Sequence, residues 1–218
     1  MLLVTFLSAA FGQDPASGWM GYAVGTYPGI ITYIEAKWTV GQNPTVGGAF
    51  FSPWFGIEAS DNLNLIQPVN PWVGDSWEIY NEYYQWVPEY NQNSDSATVS
   101  PGDVLFGSVT YNPSDNSYTM VHTDLTTGQT VGPTTISIQQ ADNGAYKNYT
   151  IAYFVMEKSE WDCNQYPPDG KVVFYDIKVE YDGKQVTPNW STGIVDDNCN
   201  CRASVLSPTS IQITWNTN

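Results

Sequence analysis

The stretch that decides the fold class is Val104-Leu105-Phe106-Gly107-Ser108-Val109-Thr110-Tyr111, then Asn112-Pro113-Ser114-Asp115, then Ser117-Tyr118-Thr119-Met120-Val121-His122-Thr123. Both arms are rich in Val, Thr, Tyr and Phe and run with period two, which puts alternate side chains on opposite faces of a strand. The Asn-Pro-Ser-Asp segment between them is turn chemistry, so the pair reads as an antiparallel hairpin. Working outward, the same pattern predicts strands over Ile30–Val40, Phe50–Ile57, Glu78–Val87, Thr134–Gln140, Asn148–Met156, Lys171–Tyr181, Ala203–Leu206 and Ser210–Trp215. Turn signals separate them at Thr127-Gly128, Asp142-Asn143-Gly144, Pro167-Pro168-Asp169-Gly170 and Asp182-Gly183. With no linker and no internal repeat, residues 13–218 read as one all-β domain, an antiparallel β-sandwich. The twist of long strands bends such a sheet, giving a concave face and hence a groove.

The 218 residues are 42% hydrophobic and only 13% charged, which suits a packed core and excludes a disordered chain. Seven Lys and Arg against 22 Asp and Glu leave a net charge of −15, which repels phosphate backbones and anionic lipid. Nucleic acid and membrane are therefore not expected partners, and the domain is expected to be a monomer. Met1 to Gly12 is an apolar stretch followed by Gln13-Asp14, read as a signal peptide spanning residues 1–12 and hence as a mark of secretion. Two Asn-x-Ser/Thr acceptors, at Asn148 and Asn189, fit glycosylation on that route. Three cysteines allow one disulfide, joining Cys163 to Cys199 or Cys201. No metal site and no cofactor is expected: Cys-x-Cys lacks a fourth ligand, and Asp196-Asp197-Asn198 reads as a solvated acidic loop.

Eight Phe, nine Trp and 15 Tyr exceed the needs of a core of this size, and many cluster where a groove could be lined. The cluster comprises Trp54-Phe55, Trp72, Trp77, Tyr80, Tyr83-Tyr84 and Trp86. His122 is the only imidazole, which disfavours Ser–His or Cys–His nucleophiles and leaves it as a half-exposed strand residue. Carboxylates and carboxamides are the plentiful reactive groups. Gln67 and Gln85 sit in apolar or aromatic sequence, where an amide is either a hydrogen-bond node or an oxyanion donor.

Six segments occur in an order that resembles the eqolisins, the glutamic peptidases: Ser17-Gly18-Trp19-Met20-Gly21, Trp54-Phe55-Gly56-Ile57-Glu58, Leu65-Ile66-Gln67, Tyr83-Tyr84-Gln85-Trp86-Val87-Pro88-Glu89, Ser100-Pro101-Gly102-Asp103 and Leu125-Thr126-Thr127-Gly128-Gln129. The resemblance extends over residues 17 to 186. It implies a concanavalin-like sandwich with substrate across the concave face, and a secreted acid endopeptidase. It also implies a Gln–Glu pair, in which the glutamate activates a water and later protonates the leaving amine while the glutamine amide holds the water and the oxyanion. Gln67 takes the glutamine position. In the strand Ala152-Tyr153-Phe154-Val155-Met156-Glu157, aligned on the family's Ala-Glu-aromatic-Ile-Val-Glu, Tyr153 takes the position read as the general base, and Glu157 matches the second acid. A phenol with a pKa of ~10 cannot accept a proton at acid pH. Glu157, four residues along, stands ~13 Å away. Gln85 likewise replaces a groove acid.

Two readings follow. The first is a non-catalytic or altered homologue that binds an extended peptide or polysaccharide in a groove lined by Trp19, Trp54, Glu58, Tyr84, Gln85 and Trp86, with Gln67 and Tyr153 on its floor. The second is an acid endopeptidase centred on Gln67, for which Glu157, Glu58 or Glu82 would supply the base. A carboxyl in contact with the Gln67 amide favours the second.

Overall fold

A computed structural model describes residues 15–141, 143–158 and 162–218, so the segment 1–12 read as a signal peptide lies outside the described residues. The strands run β1 (Trp19–Thr26), β2 (Ile31–Thr39), β3 (Phe51–Ala59), β4 (Asn64–Val69), β5 (Trp77–Gln85), β6 (Tyr90–Asn93), β7 (Ala97–Val99) and β8 (Val104–Asn112). They continue as β9 (Ser117–Asp124), β10 (Thr130–Ser137), β11 (Tyr149–Lys158), β12 (Lys171–Tyr181), β13 (Lys184–Val186), β14 (Asn189–Ile194), β15 (Arg202–Ser207) and β16 (Ser210–Thr214). The deciding hairpin is β8–β9, paired antiparallel from Leu105 opposite Asp124 to Asn112 opposite Ser117.

Two eight-stranded antiparallel sheets form the sandwich. One has the order β14-β1-β11-β3-β4-β5-β6, with β7 paired to β5; the other has the order β10-β9-β8-β2-β12-β16-β15, with β13 paired to β12. Period two explains how the first sheet serves two layers. Phe55 and Ile57 of β3, Ile66 of β4, Tyr83 of β5 and Phe154 of β11 join the main core between the sheets. Trp54, Leu65, Tyr153 and Val155, their neighbours in the chain, form a second apolar cluster with Val69 and Trp19 on the sheet's other face. Strands β3 and β4 are consequently buried along their whole length, a pattern expected of central strands covered on both sides. The second layer is the foundation of the cleft described below.

The cysteine alternatives resolve to Cys163–Cys199, leaving Cys201 as a buried thiol. Asp196 of the loop read as solvated is tied to the buried Lys158 by an ion pair. Asn148 and Asn189 are both exposed.

Candidate active site

A cavity of about 510 Å³ opens over the β1-β11-β3-β4-β5-β6 surface. Gln67 and Val69 of β4, Glu82 and Tyr84 of β5, Trp19 of β1 and Glu157 of β11 all line it. The period of two accounts for this set. In β4 and β5, Leu65, Gln67 and Val69 fall on the cleft face together with Tyr80, Glu82 and Tyr84, and the register sets Gln67 directly opposite Glu82. The Gln67 Nε2 donates to Glu82 Oε2 at 2.6 Å, and Asn91 Nδ2 donates to Glu82 Oε1 at the same distance. Burial pushes the Glu82 carboxyl above its usual range, and the two donors partly offset that rise. Burial also raises the phenol of Tyr80, with added repulsion from Glu82 and then Glu157.

Glu157 reaches the same cleft from β11. The Trp54 indole N–H donates to its Oε2 at 2.9 Å from below. Glu157 and Gln67 both line the one cavity, Glu157 from the β11 position opposite Ser52 of β3 and Gln67 from the β4 position opposite Glu82 of β5. At the row that joins β11 to β3, Tyr153 is opposite Gly56. Gly56 leaves a space into which Gln67 is packed, since a Cβ there would stand 2.8 Å from the Gln67 Cβ.

Several residues expected in the groove lie elsewhere. Tyr153 is 5% exposed and packs beneath the floor, with ring centroids 4.9 Å from Trp19 and 6.0 Å from Tyr22. Trp54 is fully buried and meets the cleft lining through its indole N–H to Glu157 and its ring against Trp19. Glu58 is likewise fully buried, between Ile151 and Leu65 in the sheet register, and does not line the cleft. Gln85 faces the sandwich interior, where its Oε1 accepts from the Tyr83 hydroxyl at 2.8 Å and its Nε2 donates to the Pro88 carbonyl at 2.9 Å. It is a hydrogen-bond node, and the groove acid on this strand is Glu82, three residues earlier. Trp19, Tyr84 and Trp86 do line the cleft, the last two meeting edge to face at 4.9 Å. The signal for Glu82 lay in the alternation Tyr80, Glu82, Tyr84, which shares one face; nothing local distinguished Asn91.

A family model for Peptidase A4 matches residues 17–215. The chain belongs to the Peptidase A4 family. Scytalidopepsin B of Scytalidium lignicola is 31% identical over 145 residues, covering 62% of this chain; the chain spans about half the length of that relative, 53% of which is matched. Among solved structures, scytalido-glutamic peptidase with a peptide-based transition-state analogue superposes with a TM-score of 0.66 at 24% identity, over 91% of this chain and 98% of the other. SCP-B, described as an eqolisin-family peptidase in complex with the tripeptide Ala-Ile-His, gives a TM-score of 0.62 at 23% identity over the same shares. These two likenesses establish the fold. The family assignment therefore fits the order of motifs in the sequence, and the all-β, concanavalin-like sandwich is the family's architecture.

Proposed function

We propose that this Peptidase A4 member is a secreted acid endopeptidase, with Glu157 as the base and acid and Gln67 as the carboxamide partner. The observation that supports this reading is that Gln67, Glu82 and Glu157 line one cleft, with the Glu82 carboxyl in contact with the Gln67 amide at 2.6 Å. A groove meant only to hold a ligand has no need of one carboxyl set against a buried amide, whose desolvation is costly, with a second carboxyl in the same cleft. An extended peptide laid across the cleft is the substrate class that fits. Water between Glu157 and Gln67 gives a proton to the Glu157 carboxylate as its oxygen attacks the scissile carbonyl carbon. The Gln67 N–H donates to the resulting oxyanion. Glu157 then passes the proton to the amine nitrogen, the C–N bond breaks, and a carboxylic acid and an amine leave. Secretion is supported by the disulfide, which persists in oxidising compartments, and by exposed glycosylation acceptors.

Purified protein incubated with denatured casein at acid pH tests this. The natural sequence is expected to cut. Gln67→Ala is expected to lose ~10²- to 10³-fold, as for removal of an oxyanion donor, and Glu157→Gln ~10²- to 10⁴-fold, as for a general base. Tyr153→Phe is expected to remain active. A folded natural protein that binds casein peptides yet releases no new termini would overturn the catalytic reading in favour of capture. Activity that survives Glu157→Gln would exclude Glu157 as the group that takes the proton from water.

A further inference from the structure

We infer that Glu82 is a positioning residue that gates the site by protonation: ionised, it holds the Gln67 carboxamide in an unproductive state, and protonated, it orients and activates that amide for the reacting carbonyl. This inference rests on the peptidase reading above.

Both oxygens of Glu82 are met by N–H donors, Gln67 Nε2 on one and Asn91 Nδ2 on the other, each at 2.6 Å. Two donors on two oxygens is the arrangement of an ionised carboxylate, because a neutral acid has a proton of its own to donate. Meanwhile the Gln67 Oε1 is buried and has no hydrogen-bond partner among the described residues. A buried carbonyl left without a donor calls for an explanation, and protonated Glu82 supplies one. Its O–H can donate to that oxygen while its other oxygen accepts the Gln67 N–H, closing a cyclic acid–amide pair. An amide whose oxygen accepts a hydrogen bond is a stronger donor through its remaining N–H, which in this arrangement is left for the oxyanion. Ionised Glu82 acts in the opposite sense, since its full negative charge beside Gln67 repels the negative charge that develops on the substrate oxygen.

The surroundings decide where the gate operates. Tyr80 and Tyr84 flank Glu82 on β5, Gln67 faces it from β4, Asn91 and Asn93 from β6, and Glu157 across the cleft from β11. Lys158, the cation among the described residues of the cleft lining, is tied to Asp196. Glu89, in the turn beyond β5, adds a further negative charge near Tyr84. Burial therefore favours the neutral carboxyl, and Lys158 is committed to another acid, so Glu82 gains its proton at milder acidity than an ordinary glutamate. The working state pairs protonated Glu82 with ionised Glu157, two carboxyls in one cleft with different duties.

The test is the pH dependence of kcat/KM on a casein-derived peptide for the natural protein, Glu82→Gln and Asn91→Ala, together with the side-chain amide resonances of Gln67 followed by NMR over the same range. Glutamine at 82 is neutral at every pH, so the alkaline limb of that variant is expected to move upward by about one unit or more, about tenfold in relative activity above the limb. Asn91→Ala removes a donor from the ionised form, so its limb is expected to move the same way, and it decides the matter if Glu82→Gln does not fold. The Gln67 amide is expected to titrate in the natural protein and to stay constant in Glu82→Gln. Limbs that coincide in all three proteins, or a Gln67 amide that does not respond to pH, would overturn the gate. If the Gln67 amide titrates with Glu82 in a protein that cuts no peptide, the coupling stands and it is the peptidase reading that falls.

Discussion

At Gly56 the sheet has no space for even a methyl group. A Cβ there would stand 2.5 Å from the Ile66 carbonyl oxygen and 2.8 Å from the Gln67 Cβ, well inside contact distance. The missing side chain is what lets Gln67 lie close against β3 while still reaching Glu82. Gly56→Ala is therefore expected to act on two observables at once. Overpacking of this kind costs about 1–3 kcal/mol, read as a lowered unfolding midpoint. Because a displacement of ~1 Å at a catalytic group can cost ~10²-fold, kcat/KM is expected to fall further than stability loss explains. A variant with lowered midpoint and unchanged kcat/KM at a temperature where it stays folded would show that Gln67 does not depend on this gap. Tyr153 illustrates the opposite case. Its position in the sequence suggests a site residue, yet its buried ring packs against Trp19 and Tyr22.

Strands announce themselves in sequence to the extent that they carry an apolar face. Strands β2, β3, β5, β8, β9, β11, β12, β15 and β16 follow the predicted runs within a few residues, and β10 begins four residues earlier than expected, at Thr130. Those that escape a reading of pattern have physical reasons to do so. Strand β1 carries Gly21 and Gly25, the latter left bare so that the Trp190 ring can pack against it. Strand β4, which bears Gln67, contains Pro68, a residue that argues against a central strand. Strand β6 reads Tyr-Asn-Gln-Asn and is exposed throughout, and β14 is a polar edge. The same limit applies to the site: Gln67 is legible through its motif, whereas the partner that meets it depends on the β4–β5 register, and that in turn fixes which of Glu82 and Gln85 faces the cleft. The Cys163–Cys199 bond ties the segment after β11 to the segment before β15 across a separation of 36 residues. Closing a loop of that length restricts the unfolded chain by about 4 kcal/mol. Cys163→Ser/Cys199→Ser is accordingly expected to lower unfolding stability by up to that amount in denaturant titration. An unchanged midpoint would mean that strain in the folded state cancels the entropic gain.

Across the whole molecule, a net charge of −15 opposes compactness at neutral pH, and that repulsion fades as the acids are neutralised. Glu82 and Asp169 work in the same direction: burial lifts both carboxyls above their unfolded values, so their contribution to stability is present at low pH and is lost as pH rises through their folded-state range. His122 works against them. Its sequence context suggests a half-exposed position, but it is fully buried between the sheets, with Trp38 at 5.0 Å, and its Nδ1 lies 3.4 Å from the Tyr80 carbonyl oxygen. Burial pulls its pKa from 6.5 down to about 3. In that interval the unfolded chain binds a proton that the folded chain refuses, so the stability His122 permits is complete above about 6.5 and drains away as pH falls toward 3. The acids thus set the neutral edge of the stability range and one imidazole helps set its acid edge, which matters for an enzyme proposed to work in acid. Replacing His122 with glutamine removes the titration while keeping a polar side chain of similar size. Whatever that substitution costs at pH 7, the difference from the natural protein is expected to shift in the variant's favour by roughly 3 kcal/mol at pH 4, as read from denaturant unfolding at the two pH values. Parallel stability curves would mean that the imidazole gains its proton without unfolding, and that the acid edge is set elsewhere.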